Sequence, residues 1–486
     1  MSRLKGGGKR IVSSLVALFL IAASGGALWY GRSYLEKHDP FLSQDKVASA
    51  PSSADAGPNG SVATAPSKTV EAPAATPAPH ELPVELNQVP RSVSDAGSIH
   101  LLYVTAPGTD ASMGLSSRLY VTREAPNAVS ARLTTEVGKD MTTSFNEAFS
   151  YVQKQPRGWE KDYSLRLSFE DKFTPKDGGS AGTGFTIAML AAIEDVSLAP
   201  DVAVTGDLTI DGEVQPVGAV VEKIGGAIDA KCTVTLVPQR NSRDVEDFVL
   251  LKGTSPLWET QIFSIASVDE ALSLARKDRP AKIQEAIARF SKLRARLPAV
   301  VTPNYLRSPI VQSELKEVLA LAPNHLSASA LSRAAEDKLP KELSLSKSVD
   351  EIVSTCYLFV QDVVNPPKDP PPSSSKEQHK GITVYPEREF GEAMRKLNTL
   401  SPILDRRSIE LKVACVAYAG ATRAILSDKV DYSGYRNPDQ WRALINRERG
   451  YQKDLAENYD DARSKLMLAL RKLGTDGVLM SEILKK

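Results

Sequence analysis

The sequence of 486 residues predicts an α+β domain followed by an all-α helical domain, with a transmembrane helix near the N-terminus. Three observations lead to this prediction. Residues 11–31 carry no charge, short apolar runs alternate with helical stretches over 96–279, and helices separated by polar breaks fill 280–486. A chain of this length exceeds what one hydrophobic core usually serves, so we expect two or three folded units.

The N-terminal segment has the features of a signal anchor. A basic flank, 1–10, precedes the uncharged run 11–31, which at about 1.5 Å per residue is long enough to cross a bilayer core. Trp29 and Tyr30 end the run where interfacial aromatic residues sit, and the basic flank is expected to stay cytoplasmic, with the rest exported to the periplasmic or extracellular side. A signal peptide cleaved near residues 22–24, giving a secreted protein, is the alternative.

Residues 32–95 are rich in alanine, proline and serine and poor in aromatic residues, which predicts a disordered linker. The domain 96–279 follows. Its predicted elements are strands 101–105, 165–169, 202–205, 208–214 (with a hairpin turn at Asp211-Gly212) and 233–238 and helices 142–153, 182–196 and 268–275. In the helical domain, residues 315–332 are typical of a tetratricopeptide helix–turn–helix junction, without a convincing repeat period. The charged run 437–473 predicts a solvated amphipathic helix, and the proline-rich run 365–375 predicts an exposed loop.

The overall composition gives no reason to expect nucleic acid as a partner. Lysine and arginine total 60 and aspartate and glutamate total 59, for a formal net charge of +1. The three cysteines, Cys232, Cys356 and Cys415, lack the spacing of a metal site, and we expect no metal or cofactor. Buried free thiols are the expected state. A disulfide between Cys356 and Cys415 is the alternative if the domain is exported.

Residues 175–182 have the sequence Pro-Lys-Asp-Gly-Gly-Ser-Ala-Gly and contain the candidate nucleophile. Glycines permit a tight turn, and the predicted helix that follows places Ser180 near a helix N-terminus. Unpaired N–H groups at that position favour the negative charge that develops during acyl transfer. A serine also needs an adjacent base to act as a nucleophile.

The candidate base is a lysine. None of the five histidines lies between residues 101 and 324, so a histidine base would have to come from outside this stretch. Lys223 lies 43 residues after Ser180, in an apolar stretch that opens a short predicted helix. A lysine base must be neutral, so burial would have to lower its pKa from about 10.4 towards 7.

These segments together resemble the proteolytic domain of the Lon protease family. The matching segments are 175–182, 201–209, Gly212, Val214 and 216–223, with weaker matches at 138–152 and 235–238. The resemblance implies a serine peptidase with Ser180 as nucleophile and Lys223 as general base. It also implies that Thr205 helps to position the lysine and that Asp177 is an acidic residue beside the serine. A strand-end threonine and a helix N-cap aspartate are the structural alternatives for these two supporting residues.

The chain departs from the family pattern in several places. Asp207 replaces a common glutamate, Ala219-Val220 replaces a typical Gly-Leu, and Arg166 and Ser168 stand where histidines occur in many members. The sequence also has no G-x-x-x-x-G-K-[ST] phosphate loop, the motif of the ATPase that accompanies this domain in full-length Lon. We therefore expect an ATP-independent, membrane-anchored endopeptidase that cuts unfolded or flexible segments of proteins or peptides. By resemblance, a hexameric ring is an expected assembly.

Three other interpretations compete with this one. Residues 178–182 also satisfy G-x-S-x-G, but residues 174–177 before them do not read as a strand, and the later histidines, His325 and His379, lie in helical or proline-rich segments, which disfavours an α/β-hydrolase. Short S-x-x-K matches at Ser313, Ser344 and Ser373 lack the companion motifs of penicillin-binding enzymes. The alternative of a different class is a non-catalytic membrane scaffold that keeps a Lon-like fold and binds partners through its helical domain.

Overall fold

The structure is a computed structural model that describes residues 97–105, 109, 112–126, 130–155, 163–298, 301–364, 386–426 and 438–474. The predicted basic flank, transmembrane helix and linker lie outside these residues, as does the predicted loop 365–375. Within the described part of the chain, no helix combines the length and apolar character needed to span a membrane.

Seven strands form one mixed sheet in the order β3-β4-β2-β1-β5-β8-β9. The strands are β1 (Ile99–Thr105), β2 (Met113–Glu124), β3 (Ala131–Leu133), β4 (Ser164–Phe169), β5 (Val202–Val204), β8 (Val234–Pro238) and β9 (Gln261–Ile265). β2 is antiparallel to both β1 and β4, whereas β3 is parallel to β4 and β1, β5, β8 and β9 run parallel in succession. A separate hairpin joins β6 (Asp207–Leu208) to β7 (Val214–Gln215).

In the described part of the chain up to residue 275, five helices accompany this sheet. They are α1 (Lys139–Lys154), α2 (Gly182–Ile193), α3 (Val220–Asp229), α4 (Ser242–Lys252) and α5 (Val268–Ala275), with short 3₁₀ turns at Gly179–Ala181, Gln239–Asn241 and Ser255–Trp258. α2 is apolar on all sides and buried along almost its whole length, as expected of a helix inside the core.

Helices α2 and α3 cover opposite faces of the sheet. A Cβ on Gly184 of α2 would lie 2.1 Å from Leu101, which places Leu101 on the α2 face. Leu102 points to the other face, because side chains alternate along a strand, and it clusters there with Ala227 of α3. The helix that directly follows Ser180 and the helix that contains Lys223 therefore lie on opposite sides of the sheet.

Nine further helices follow within the described residues after 275. The proximal helices are α6 (Ala281–Arg294), α7 (Pro303–Leu306), α8 (Pro309–Leu321) and α9 (Leu326–Ala335). The distal helices are α10 (Leu345–Thr355), α11 (Tyr357–Val364), α12 (Pro386–Leu400), α13 (Ile409–Leu426) and α14 (Pro438–Gly474), with 3₁₀ turns at Ser401–Ile403 and Arg406–Ser408. The proximal helices share one hydrophobic core with the sheet, whereas the distal helices build a second core from Leu343 to Leu473.

The turn between α8 and α9 closes the open edge of the sheet. The N–H of Ser264 in β9 donates to the carbonyl of Asn324 at 2.9 Å, and Phe263 forms an isolated bridge with His325. This satisfies backbone groups that an exposed edge strand would leave unpaired. The boundary predicted between 279 and 280 stays a prediction, since the first core continues across it as far as Ala335.

The structure confirms the mixed α/β domain and the helical C-terminal region. The predicted turn at Asp211-Gly212 is present in the β6–β7 hairpin, where Gly212 has a φ of 85° that favours glycine. Helix α5 spans the predicted residues 268–275, and the helix–turn–helix junction is present as α8 and α9. The twelve-residue strand β2 was missed, because Gly114 and two serines interrupt its apolar alternation.

Candidate active site

Ser180 lies in a tight turn that leads directly into α2. Gly178 has a φ of 103°, a conformation that a residue with a Cβ rarely adopts, and the 3₁₀ turn at Gly179–Ala181 follows it. The carbonyl of Ser180 accepts a hydrogen bond from the N–H of Gly206 at 3.0 Å, and Ser144 of α1 donates to the carbonyl of Gly179 at 2.8 Å. The serine is partly exposed, as a nucleophile must be to meet a substrate.

The loop before this turn is built around a buried lysine. The ammonium of Lys176 donates to the carbonyls of Asp171 and Thr174 at 2.8 and 3.0 Å, and the residue is only 3% exposed. The same ammonium lies 5.6 Å from the ring centre of Tyr103 and 5.3 Å from that of Phe169. Sequence reasoning assigned no role to Lys176, although it lies within the motif. Its contacts fix the path of the loop that presents the candidate nucleophile.

Lys223 lies in the first turn of α3 and is buried, with 5% of its surface exposed. Its N–H donates to the carbonyl of Ala219, the residue that precedes the helix. Ala219 has a φ of 57°, in the left-handed region that costs a non-glycine residue about 1–2 kcal/mol. The family pattern has glycine at this position, so the substitution leaves strain at the start of the helix that carries the candidate base.

Asp207 lies beside the turn that carries Ser180, and the charge of Lys223 affects its pKa. A Cβ on Gly179 would lie 3.0 Å from a carboxylate oxygen of Asp207. Burial raises the pKa of Asp207, while the N–H of Leu208 and the charge of Lys223 oppose that rise. The carboxylate is therefore within electrostatic reach of the lysine and adjacent to the serine turn. Sequence reasoning noted Asp207 only as a departure from the family pattern.

Thr205 directly follows β5 and lies between α2 and α3 in the sequence. Its N–H donates to the carbonyl of Leu236 at 3.1 Å, which extends the β5–β8 pairing by one residue. The residue is fully buried, and its hydroxyl oxygen has no hydrogen-bond partner among the described residues. A buried hydroxyl left unpaired costs on the order of 1–3 kcal/mol, so such a group is expected to have a functional reason.

Asp177 caps a neighbouring helix. Its carboxylate accepts hydrogen bonds from the N–H of Met141 at 3.0 Å and from the N–H of Gly178 at 2.8 Å. Met141 belongs to the first turn of α1, whose own N-cap, Gly138, has no side chain. The structural alternative of an N-cap aspartate is thus present, although the capped helix is α1 and not the helix after Ser180. The predicted supporting role of Asp177 stays a prediction.

One group of carboxylates among the described residues has the spacing of a cation site. It comprises Glu222 of α3 and Asp350 and Glu351 of α10. The ammonium of Lys347 contacts all three carboxylates, so a protein cation already occupies the position between them. Cys356 and Cys415 are buried free thiols, as expected, and burial raises the pKa of Cys356 to about 12.

The candidate site contains the side-chain types that a serine hydrolase with a lysine base requires. Ser180, at the start of α2, is partly exposed, and Lys223, in α3, is buried. Residues 115–275 match the family model for the Lon protease (S16) C-terminal proteolytic domain.

Curated relatives agree with the family model. The chain is 32% identical over 153 residues to Lon protease 1 of Bacillus subtilis, covering 30% of this chain and 19% of the relative. It is 30% identical over 155 residues to Lon protease 1 of Thermus thermophilus, covering 31% of this chain and 19% of the relative. For the archaeal Lon protease of Thermococcus kodakarensis the identity is 29% over 120 residues, covering 25% and 18%.

The chain thus spans less than a fifth of the length of these relatives. The matches confirm the predicted resemblance to the Lon proteolytic domain over this segment of the chain, and they support serine protease activity for it.

Proposed function

We propose that the chain is a serine endopeptidase that cuts unfolded or flexible protein segments without ATP, with Ser180 as nucleophile and Lys223 as general base. The observation that carries the proposal is the position of Asp207, which adjoins the Ser180 turn and is influenced by the charge of Lys223. The family match over 115–275, which includes both residues, supports the same assignment.

In the proposed reaction, the neutral amine of Lys223 removes the proton from the Ser180 hydroxyl as its oxygen attacks the substrate carbonyl. N–H groups at the start of α2 stabilise the tetrahedral oxyanion. The protonated lysine then gives its proton to the leaving amine, and an acyl-enzyme forms. The same lysine activates the water that releases the acyl group. The low exposure of Lys223 favours this role, because burial disfavours the charged form of an amine.

Thr205 is proposed to position Lys223. Its fully buried hydroxyl lacks a partner among the described residues, and an amine or ammonium brought to it would satisfy that group. A hydrogen bond there would hold the lysine in a fixed rotamer near the serine. Thr205→Val, which keeps the shape of the side chain, is then expected to lower kcat with little effect on KM.

Two exposed apolar side chains suit unfolded substrates. Phe173 is 95% exposed on the loop before Ser180, and Ile210 is 65% exposed in the β6–β7 hairpin. The N–H of Phe173 donates to a carboxylate oxygen of Asp171 at 2.9 Å, so the ring is presented from an ordered turn. Folded proteins seldom offer apolar segments to such side chains, whereas unfolded chains do.

The setting of this activity is part of the proposal. The uncharged run 11–31 favours a membrane anchor with the catalytic domain exported, and the resemblance to Lon favours a ring of subunits. The absence of a phosphate-loop motif from the sequence supports independence from ATP.

The test follows cleavage of a reduced, unfolded protein by the full chain in mild detergent, with and without ATP. We expect cleavage without ATP and no acceleration by ATP. Ser180→Ala and Lys223→Met are each expected to lower kcat about a thousandfold or more. Ser150→Ala and Lys154→Met, on the exposed side of α1, are the matched controls and are expected to cleave normally. A well-folded wild type that cleaves nothing would favour the scaffold alternative, and cleavage by both variants would exclude this site.

A further inference from the structure

A lysine from the distal helices reaches the helix that carries the candidate base. The ammonium of Lys347, in α10, lies 2.6 Å from Glu222 of α3, 2.9 Å from Asp350 and 3.1 Å from Glu351. Lys396 of α12 adds a longer contact to Glu351 at 3.8 Å. Glu222 immediately precedes Lys223, so the two lysines are linked through one residue of α3.

This ion pair is buried. The side chain of Lys347 is 6% exposed and that of Glu222 is 16% exposed. Burial acts to lower the pKa of Lys347, but the carboxylates of Asp350, Glu222 and Glu351 together raise it above its usual value, so the ammonium stays charged. The charge of Lys347 also acts to lower the pKa of Asp244 in α4, against the larger opposite effect of burial. Removing one partner of a buried pair leaves an uncompensated charge, so loss of either Lys347 or Glu222 alone is expected to disturb this contact strongly.

Helix α3 is held between this ion pair and the sheet. A Cβ on Gly114 of β2 would lie 1.7 Å from the carbonyl oxygen of Glu222, and a Cβ on Gly226 would lie 2.6 Å from the backbone of Gly114. The close backbone approach fixes α3 on one side, and Lys347 fixes it on the other. Glu222 and Lys223 are consecutive residues of one helix, so any rotation of α3 that moves the side chain of Glu222 also moves that of Lys223.

A second group of contacts joins the same elements. Asp247 of α4 is fully buried and accepts hydrogen bonds from the N–H and the hydroxyl of Ser344 at 2.9 and 2.5 Å. The Ser344 hydroxyl in turn caps α10 by accepting from the N–H of Lys347. Arg243 donates to the carbonyl of Glu342 at 2.6 Å. The start of α10, and with it Lys347, is therefore fixed against α4.

We propose that Lys347 and Glu222 are positioning residues, through which the distal helices hold α3 and set the placement of Lys223. The inference rests on the proposed function of Lys223. It also gives the Ser344–Lys347 match a structural role, since the serine caps a helix and the lysine forms an ion pair.

The first test compares the cleavage kinetics of the full-length variants Lys347→Met and Glu222→Gln with wild type. Both variants are expected to lower kcat tenfold or more and to leave KM within twofold, because substrate contacts are unchanged. Lys347→Arg retains a cation and is expected to recover most of the activity. Lys465→Met, which removes an exposed ion pair with Asp461 on α14, is the matched control and is expected to behave as wild type.

The pH profile of kcat distinguishes positioning from general damage. Lys347→Met leaves the carboxylates of Glu222, Asp350 and Glu351 uncompensated, which favours protonated Lys223 and moves the ascending limb to higher pH. Glu222→Gln removes one negative charge beside Lys223 and leaves Asp207 as its identified acidic neighbour. Protonated Lys223 is then less favoured, and the ascending limb of the kcat profile moves to lower pH. Each shift is expected to be about 0.5 pH unit or more. Partial unfolding would lower activity without opposite shifts.

Hydrogen exchange of the α3 amides provides a readout that does not require activity. Lys347→Met and Glu222→Gln are expected to accelerate exchange in α3 at least tenfold, with exchange in β8 unchanged. An active wild type whose variants keep normal kcat and normal α3 exchange would overturn the inference. If the wild type cleaves nothing, the proposed peptidase function fails, and unchanged α3 exchange in that case would also overturn the anchoring of α3.

Discussion

The C-terminal helices meet the α/β domain at two surfaces with different chemistry. At the apolar contact, the proximal helices pack on β9 through Phe290, Leu331 and the fully buried His325. The rings of Phe263 and Phe290 lie 4.4 and 4.8 Å from that of His325. At the charged contact, α10 of the distal helices meets α3 and α4 through buried ions such as Lys347 and Asp247.

The difference suggests different tasks for the two surfaces. Apolar packing is non-directional, and the proximal helices share the hydrophobic core of the sheet, so this contact is expected to contribute mainly stability. Buried ion pairs are directional and depend on the ionisation of their members. They can therefore fix the position of one helix relative to another, and their strength depends on pH. The two contacts are therefore expected to respond to acid in opposite ways.

The largest expected effect is acid destabilisation of the apolar contact through His325. Its Nδ1 accepts from the N–H of Ala328, so its Nε2 carries the proton and donates to Gln261. Burial lowers the pKa of His325 from 6.5 to about 3. The unfolded chain therefore takes up a proton below pH 6.5 that the folded chain excludes, and stability falls as pH decreases from 6.5 towards 3, by up to about 5 kcal/mol.

His325→Asn keeps a side-chain acceptor for the cap but does not titrate. Urea unfolding from pH 7 to pH 4 is expected to show a shallower decline for this variant than for wild type. Equal slopes for the two proteins would mean that His325 does not control the acid response of the apolar contact.

The charged contact is expected to show the opposite response through Asp244, an effect of up to about 3 kcal/mol. Burial raises the pKa of Asp244 from 3.8 to about 6. The folded state then holds a proton that the unfolded state has lost, so this stabilising contribution is complete below pH 3.8 and disappears as pH rises through about 6. Asp244→Asn is expected to raise the melting temperature at pH 7 and to remove this dependence. A lower melting temperature at pH 7 would contradict the assignment.

A smaller effect is expected from the cap that starts α10. Ser344→Ala removes the hydroxyl that accepts from the N–H of Lys347 and donates to Asp247, and is expected to cost about 1 kcal/mol of unfolding free energy. Denaturant unfolding measures this loss. Ser150→Ala, on an exposed face of α1, is the control and is expected to change stability by less than about 0.5 kcal/mol. Equal effects of the two substitutions would remove Ser344 from the charged contact.

An effect of similar size is expected at the start of α3. Ala219→Gly relieves a left-handed conformation and is expected to stabilise the protein by about 1 kcal/mol, measured as a higher melting temperature. Ala288→Gly, in the ordinary helical interior of α6, is expected to destabilise by a similar amount. If both substitutions lowered the melting temperature, Ala219 would not be a strained residue.

Much of the α/β domain could be predicted from the sequence. Strands such as 234–238 are continuous apolar runs, and α5 begins at a serine cap, Ser267, whose hydroxyl accepts from the N–H of Glu270. Local patterns of this kind depend on neighbouring residues alone. Strand β2 was missed because its pairing with β1 and β4 compensates for a weak pattern, and that pairing is a long-range property.

The site, too, was predictable only where local sequence patterns indicate it. The motif around Ser180 and the apolar stretch around Lys223 identify the two candidates locally. The Lys347–Glu222 pair joins residues 125 positions apart, and nothing in either local sequence indicates the other. Asp177 shows a related difficulty, because its side chain caps a helix that precedes it by 36 residues.

The most direct test of the central claim is covalent labelling of the full chain with a fluorophosphonate, read by mass spectrometry of its peptides. The account predicts that the label is found on Ser180 in wild type and that labelling falls at least a hundredfold in Lys223→Met, while Lys154→Met labels normally. A label on another serine, or equal labelling of Ser180 in Lys223→Met, would contradict the Ser180–Lys223 dyad.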